Sequence, residues 1–174
     1  MESWIDEIVL RAPEPEDLES MFLFENDEML WPDSNATGPY SRYQLKQYLL
    51  ESQNDVFADR QLRLMIGHKD RGTLGIIDLC TFDPRHNRAE VGIVIKPEMR
   101  GKGIARKALG LLEVHCFRLL GIHQLYAYVR KDNIPCVRLF LSAGYGECAC
   151  LPQWFRIGSR YHDVCLFQKF NPFN

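Results

Sequence analysis

The apolar pattern of this chain changes period at Pro97, and that change restricts the folds open to it. Before it, Leu62 to Ile66, Thr73 to Phe82 and Arg88 to Ile95 read as strands. Lys69-Asp70-Arg71-Gly72 and Asp83-Pro84-Arg85-His86-Asn87 separate them with turn chemistry, so the three form an antiparallel meander. After it, Ala105, Ala108, Leu109, Leu112, Cys116, Leu119 and Leu120 follow the spacing of one helix face, ending near Gly121. Upstream, Ile8 to Leu10 is a short strand stopped by Pro13 and Pro15, and Glu16 to Asn26 a helix with Leu18, Met21, Phe22 and Leu23 apolar. Trp31 to Pro39 is a loop, and Ser41 caps a second helix that offers Tyr43, Leu45, Tyr48 and Leu49 for burial. Downstream, Gln124 to Val129 is strand-like, and Asp132-Asn133 opens a helix with Val137, Phe140 and Leu141 inward, closed by Gly144. Glu147 to Phe170 reads as two strands about Gly158-Ser159.

This order predicts an α/β fold: a single domain over residues 1–174 with a mixed, mostly antiparallel sheet flanked by helices. Hydrophobic residues at 46% and charged residues at 25% exclude wholesale disorder. No apolar run reaches the roughly 18 residues of a membrane span, and the start, Met1 to Glu7, is acidic where a signal peptide is basic and then apolar. A cytoplasmic protein with no membrane partner is expected. The six cysteines form no C-x-x-C pair and the five histidines no metal-binding pair, so no metal site is expected and the thiols read as small buried hydrophobes.

Charge is lopsided. Residues 1–34 hold 11 of the 23 acidic residues against one basic residue, Arg11, which makes that segment −10 and the remainder +8. Such asymmetry suggests a cation near one part and an anion near the other; alternatively, Glu14, Glu16, Asp17 and Glu19 simply decorate a helix start. Nucleic acid is not expected, because the isoelectric point is about 6.2 and the basic residues gather at one turn without interleaved aromatics.

That turn carries the chemistry. Ile93-Val94-Ile95 delivers the chain to Lys96-Pro97-Glu98-Met99-Arg100-Gly101-Lys102-Gly103-Ile104-Ala105-Arg106-Lys107, where a long helix starts. Unpaired N–H groups at a helix start, with glycines that let a ligand approach and four cations around them, suit a phosphate or pyrophosphate. The spacing is not that of a P-loop, and Arg106 stands where a dinucleotide fingerprint needs its third glycine.

Arg100-x-x-Gly103-x-Ala105 after an apolar strand, with Asn133 opening a later helix, resembles the Gln/Arg-x-x-Gly-x-Gly/Ala motif of the GNAT superfamily of N-acetyltransferases. Leu10 to Leu18, Glu25-Asn26-Asp27, Arg88-Ala89-Glu90 and Trp154 to Tyr161 resemble the branch of spermidine N-acetyltransferases and ribosomal-protein N-terminal acetyltransferases. The resemblance implies acetyl transfer from acetyl-CoA, as co-substrate, to a primary amine. A polyamine-like small molecule is favoured and a protein N-terminus is the alternative. Arg100, Gly101, Lys102, Gly103, Ile104 and Ala105 would hold the diphosphate, and the N–H groups of Ile93, Val94 and Ile95 would polarise the thioester. Glu90 stands where the branch carries a strand carboxylate, and acts as base through water unless it is paired with Arg88 or Lys96. Asn133 matches the asparagine that binds the pantetheine arm, or is a plain N-cap. Phe140 falls where the spermidine enzymes have a tyrosine as general acid, which leaves that role unassigned; Cys136 could substitute or only pack, and Tyr145 reads as core. Glu25, Asp27 and Glu28 would screen the second charge of a polyamine, and Asp78 stands where the spermidine enzymes have an acidic strand residue that helps bind a ligand; taken singly, each reads as a surface carboxylate. The branch implies a homo-oligomer. A second class of function also stands: a non-catalytic acyl-CoA-binding module that kept the cleft and lost its acid.

Overall fold

The computed structural model describes residues 3–173, so positions 1, 2 and 174 of the expected domain lie outside the described residues. Seven strands form one sheet in the order β1-β2-β3-β4-β5-β7-β6. They are β1 Val9–Arg11, β2 Leu62–His68, β3 Gly72–Asp83, β4 Arg88–Ile95, β5 Gln124–Arg130, β6 Gly146–Ile157 and β7 Arg160–Phe170. Every neighbouring pair is antiparallel except β4 and β5, which bears out the expected mixed sheet. The helices are α1 Leu18–Glu25, α2 Arg42–Glu51, α3 Val56–Asp59, α4 Ile104–Val114 and α5 Ile134–Ser142. The short α3, begun by Asp55 accepting from Phe57 N–H, is an element that hydrophobic period does not reveal in four residues.

Side chains alternate across the sheet, and the two faces have separate cores. Ile76 of β3 packs with Met65 of β2, Met21 of α1 and Leu45 of α2. Ile77 and Leu79 of β3 join Val91, Ile95 and the buried stripe Ile104, Ala108, Leu109 and Leu112 of α4 on the other face. Ser41 caps α2 as expected, in a reciprocal box with Gln44.

Four residues expected inward point outward, among them Leu23 of α1, which is 69% exposed. Tyr43 is 71% exposed because its turn of α2 faces away from Met21, and Leu141 is 49% exposed one position past the buried Phe140. Leu119 is exposed for a different reason. Helix α4 widens at His115–Leu119 into a π turn, where Leu120 N–H bonds His115 C=O, and the extra residue rotates the stripe off its face.

The charge asymmetry is largely settled inside the molecule. Among the described residues, Asp6 pairs with Lys107, Glu7 with Lys69, Glu19 with Arg42, Glu25 with Arg63 and Asp33 with Arg130. Five of the eleven carboxylates thus meet cations contributed later in the chain, and a sixth, Asp17, pairs with Arg11 of the same segment.

Asp17 is the buried member of this set, with a side chain 5% exposed. It accepts from both terminal nitrogens of Arg11, from Glu14 N–H and from Thr73 Oγ1, tying the first helix to β3. Burial alone would raise its pKa, but those donors outweigh burial and hold the carboxyl below the ordinary aspartate value. Its stabilisation is therefore complete above the unfolded pKa of about 3.9 and is lost as pH falls through the lower folded value. Asp17→Asn is expected to cost about 1.5–3 kcal/mol at pH 7, and denaturant melts should show the gap to wild type shrinking in acid.

Candidate active site

Strands β4 and β5 pair only over Arg88–Glu90 with Gln124–Tyr126; beyond that rung they part, and β4 runs on to Ile95 with no neighbour on that side. On its other edge β4 stays in register with β3 from Cys80↔Glu90 to Gly75↔Ile95. Lys96 N–H bonds Leu74 C=O at 2.9 Å. Alternation from there gives the backbone groups of Val94 to β3 and turns those of Ile93 and Ile95 into the gap. Two independent contacts agree: a Cβ at Gly75 would lie 2.3 Å from the Val94 oxygen, and the Ile95 oxygen accepts from Arg100 Nε across the opening. Val94 is thus committed to the sheet, which corrects the expectation that three consecutive N–H groups face the cleft.

The fork leads to the glycine turn. Gly101 and Gly103 have φ of 75° and 87°, and Gly103 is the N-cap of α4 without any capping side chain. The N–H groups of Gly101, Lys102 and Gly103 have no acceptor within the described chain, and those of Ile104 and Ala105 are first-turn groups that an α-helix leaves unpaired. The peptides expected to hold a diphosphate are therefore free to donate. The surrounding cations are less free than their number suggests. Arg100 folds back on Ile95 C=O at 3.1 Å, Arg106 reaches Ser142 at 3.1 Å and Lys107 reaches Asp6 at 3.1 Å. Lys102 alone of the four has no oxygen partner among the described residues, only the Met99 sulfur, and the Ile104 side chain is core.

Gly101 tests the turn. A Cβ there meets nothing within 4 Å, so only its left-handed φ resists substitution. In an exposed turn without internal bonds, Gly101→Ala is relieved by rotating the peptides away. On the expectation that this turn holds the diphosphate of CoA, CoA affinity should fall about tenfold by titration calorimetry, with the melting temperature unchanged.

Glu90 sits at the last rung of the fork, half-buried. It pairs with neither Arg88, which goes to Asp83, nor Lys96; its Oε2 accepts from Thr81 Oγ1 at 3.3 Å. Burial pushes its carboxyl above the ordinary glutamate value, and the Thr81 bond pulls partly back. Beside it on β5, Tyr126 packs edge-on to Tyr128, which stacks on Trp154 of β6.

Cys80, the register partner of Glu90, also lines a cavity of about 290 Å³ beneath α1 and α2, with Glu25, Tyr48, Arg63 and Asp78. Arg63 fills the centre of this group. Its Nε and Nη2 grip both oxygens of Asp78 at 2.9 and 2.8 Å, and its Nη1 meets Glu25 Oε1 at 2.5 Å. Burial opposes the guanidinium charge, but the two carboxylates outweigh it and raise its pKa. Arg63 brings Glu25 and Asp78 together: it occupies both oxygens of Asp78 but only Oε1 of Glu25, so of the two carboxylates Glu25 alone keeps an oxygen outside the ion pair. Glu28 is exposed at the end of α1 and has no ion pair among the described residues, and Asp27 accepts from Met29 N–H.

Asn133 is the N-cap of α5: its Oδ1 accepts from Cys136 N–H at 3.3 Å, which leaves its Nδ2 donor unspent. Phe140 is 2% exposed, stacked on Phe167 and edge-on to Tyr145, so it belongs to the core and does not line an open cleft. Cys136 packs against that core, and burial pushes its thiol up to about 12.

Residues 7–146 match the family described as acetyltransferase (GNAT) domain. The chain is 28% identical to the spermidine N(1)-acetyltransferase of Vibrio cholerae over 161 residues, which is 91% of this chain and 90% of that protein. It is 30% identical to the spermidine N(1)-acetyltransferase of Escherichia coli over 113 residues, 63% and 61% of the two chains. A crystal structure of the Vibrio cholerae spermidine N-acetyltransferase with CoA and spermine superposes with a TM-score of 0.86 at 25% identity, covering 95% of this chain and 96% of that one. With the family matched over most of its length, and a strand fork leading to an unbonded glycine turn, the chain belongs to the GNAT acetyltransferase domain family.

Proposed function

We propose that this protein transfers the acetyl group of acetyl-CoA to a primary amine of a polyamine-like molecule. The observation that carries the reading is the fork itself: an unpaired edge of β4 running into a turn whose N–H groups have no acceptor. An extended pantetheine arm suits the first, and a diphosphate suits the second at the positive end of α4. The relatives named for spermidine support the choice of acceptor.

Each residue then has a part. The Gly101 to Ala105 amides hold the diphosphate, and Asn133 Nδ2 donates to the arm. Ile93 and Ile95 N–H meet the thioester oxygen where negative charge develops. An alkyl ammonium of pKa about 10.4 is neutral in only about one molecule in a few thousand at pH 7, so a base must take its proton. Glu90 has the place and the raised pKa for that task. Glu25 spends only Oε1 on Arg63, which leaves Oε2 for a second ammonium, and the exposed Glu28 three residues on adds negative charge to the same segment.

Thiol release from acetyl-CoA, followed with spermidine, spermine, aminoglycosides and a peptide panel, tests this. Turnover with the polyamines is expected. Turnover only with peptides would make a protein N-terminus the acceptor, and CoA binding without any turnover would make the protein an acyl-CoA-binding module.

A further inference from the structure

Three side chains touch in a row where β4 and β5 part. Thr81 Oγ1 lies 3.3 Å from Glu90 Oε2 and 3.2 Å from the Tyr126 hydroxyl, and Glu90 faces Tyr126 across the last paired rung. Thr81 reaches both because it leaves strand geometry: its φ is 45°, within the irregularity between Cys80 and Asp83 on β3. A β-branched residue in the left-handed region costs about 1–2 kcal/mol, and such strain persists where the surroundings impose it, often at active sites. On α5, Phe140 has no hydroxyl to give the thiolate and is closed into the core.

We infer that Glu90, Thr81 and Tyr126 form a proton relay across the fork, with the Tyr126 hydroxyl as donor to the departing thiolate. The inference rests on the acetyl-transfer reading above. Glu90 takes one proton from the acceptor ammonium. The freed nitrogen pair forms the new C–N bond, and the C–S bond breaks with its electron pair on sulfur. The Tyr126 O–H proton moves to that sulfur, the Thr81 hydroxyl proton refills Tyr126, and the Glu90 carboxyl proton refills Thr81. The regenerated Glu90 carboxylate passes the second nitrogen proton to water as the amide forms. One proton of the ammonium thus ends on the thiol and the other in solvent, and both hydroxyls finish as they began.

The surroundings suit a relay that holds its protons until they are needed. Burial raises both Glu90 and Tyr126. The other titratable and charged groups around the trio are Cys80 and Asp78 on β3, Arg88 on β4, Tyr128 on β5 and Arg63 on β2. Cys80 is held neutral by burial, which pushes its thiol up to about 12; Asp78 is paired with Arg63, and Arg88 with Asp83.

Tyr126→Phe, Thr81→Val and Thr81→Ser, each checked for folding by thermal melt, decide the matter. Tyr126→Phe and Thr81→Val should lower kcat about 10²-fold with KM for acetyl-CoA unchanged, and Thr81→Ser should keep most of the rate. Without any ligand, the side-chain carboxyl ¹³C titration of Glu90 should move up in Thr81→Val and stay in place in Thr81→Ser. Wild-type kcat and pH profile in Tyr126→Phe, or an unmoved Glu90 titration in Thr81→Val, would overturn the relay while leaving acetyl transfer intact. A wild-type protein that turns over no amine at all overturns the transfer reading and the relay's catalytic role with it.

Discussion

Replacing Glu90 by Gln is expected to lower kcat about 10³-fold at pH 7 while CoA binds as before, because the substitution removes the base proposed above and nothing proposed to hold the co-substrate. The pH dependence makes the test sharper. Burial lifts the carboxyl above its ordinary value, so in wild type the rate should fall as pH drops through that raised value, and this limb should vanish in the variant. Stability should move the other way. A carboxyl whose folded pKa is raised binds its proton more tightly in the folded state than in the unfolded one. The charged form therefore weakens the fold above the raised value, and the penalty disappears below the unfolded value. At pH 7 Glu90→Gln should melt no lower than wild type. An acid limb that survives in the variant would remove Glu90 from the reaction, and a lowered melting temperature would make its role structural.

Arg63→Ala should produce the largest loss of stability, about 3–5 kcal/mol, because it strands two partly buried carboxylates that now share one guanidinium. Arg63→Lys should recover only part of this, since an ammonium cannot grip Asp78 through two nitrogens and reach Glu25 with a third. Denaturant unfolding of both variants measures the difference. A loss of less than about 1 kcal/mol for Arg63→Ala would mean that water replaces the pair, as at exposed ion pairs. The same arginine sets the charge of the cavity: with it, Glu25 and Asp78 together present a net −1 where −2 would stand alone.

The parts of the site written in consecutive residues were legible before any coordinates. The strand ending at Ile95, the glycine turn and the start of α4 depend on local chemistry: a proline, two glycines and a helical stripe. Ser41 and Asn133 could be read as caps for the same reason. The alternation of Leu125, Ala127 and Val129 inward against Tyr126 and Tyr128 outward was also there to be read, and it turns Tyr126 off the core face. Thr81 left no such signal, because its left-handed φ arises from how β3 is forced to accommodate β4. The outward turn of Leu119 was equally hidden, since one i→i+5 hydrogen bond shifts a helix face without altering its composition.

Sequence alone determined the order of elements, the mixed sheet and the glycine turn at the start of α4, because each follows from interactions spanning a few residues. Only the tertiary structure decided which carboxylates are free. Arg63 lies 38 residues from Glu25 and 15 from Asp78, and Thr81 lies 45 from Tyr126, so no local pattern announces that they meet. Register did the rest: with backbone N–H and C=O groups alternating between the two edges of the strand, the pairing of β4 with β3 commits those of Val94 to the sheet and turns those of Ile93 and Ile95 to the cleft.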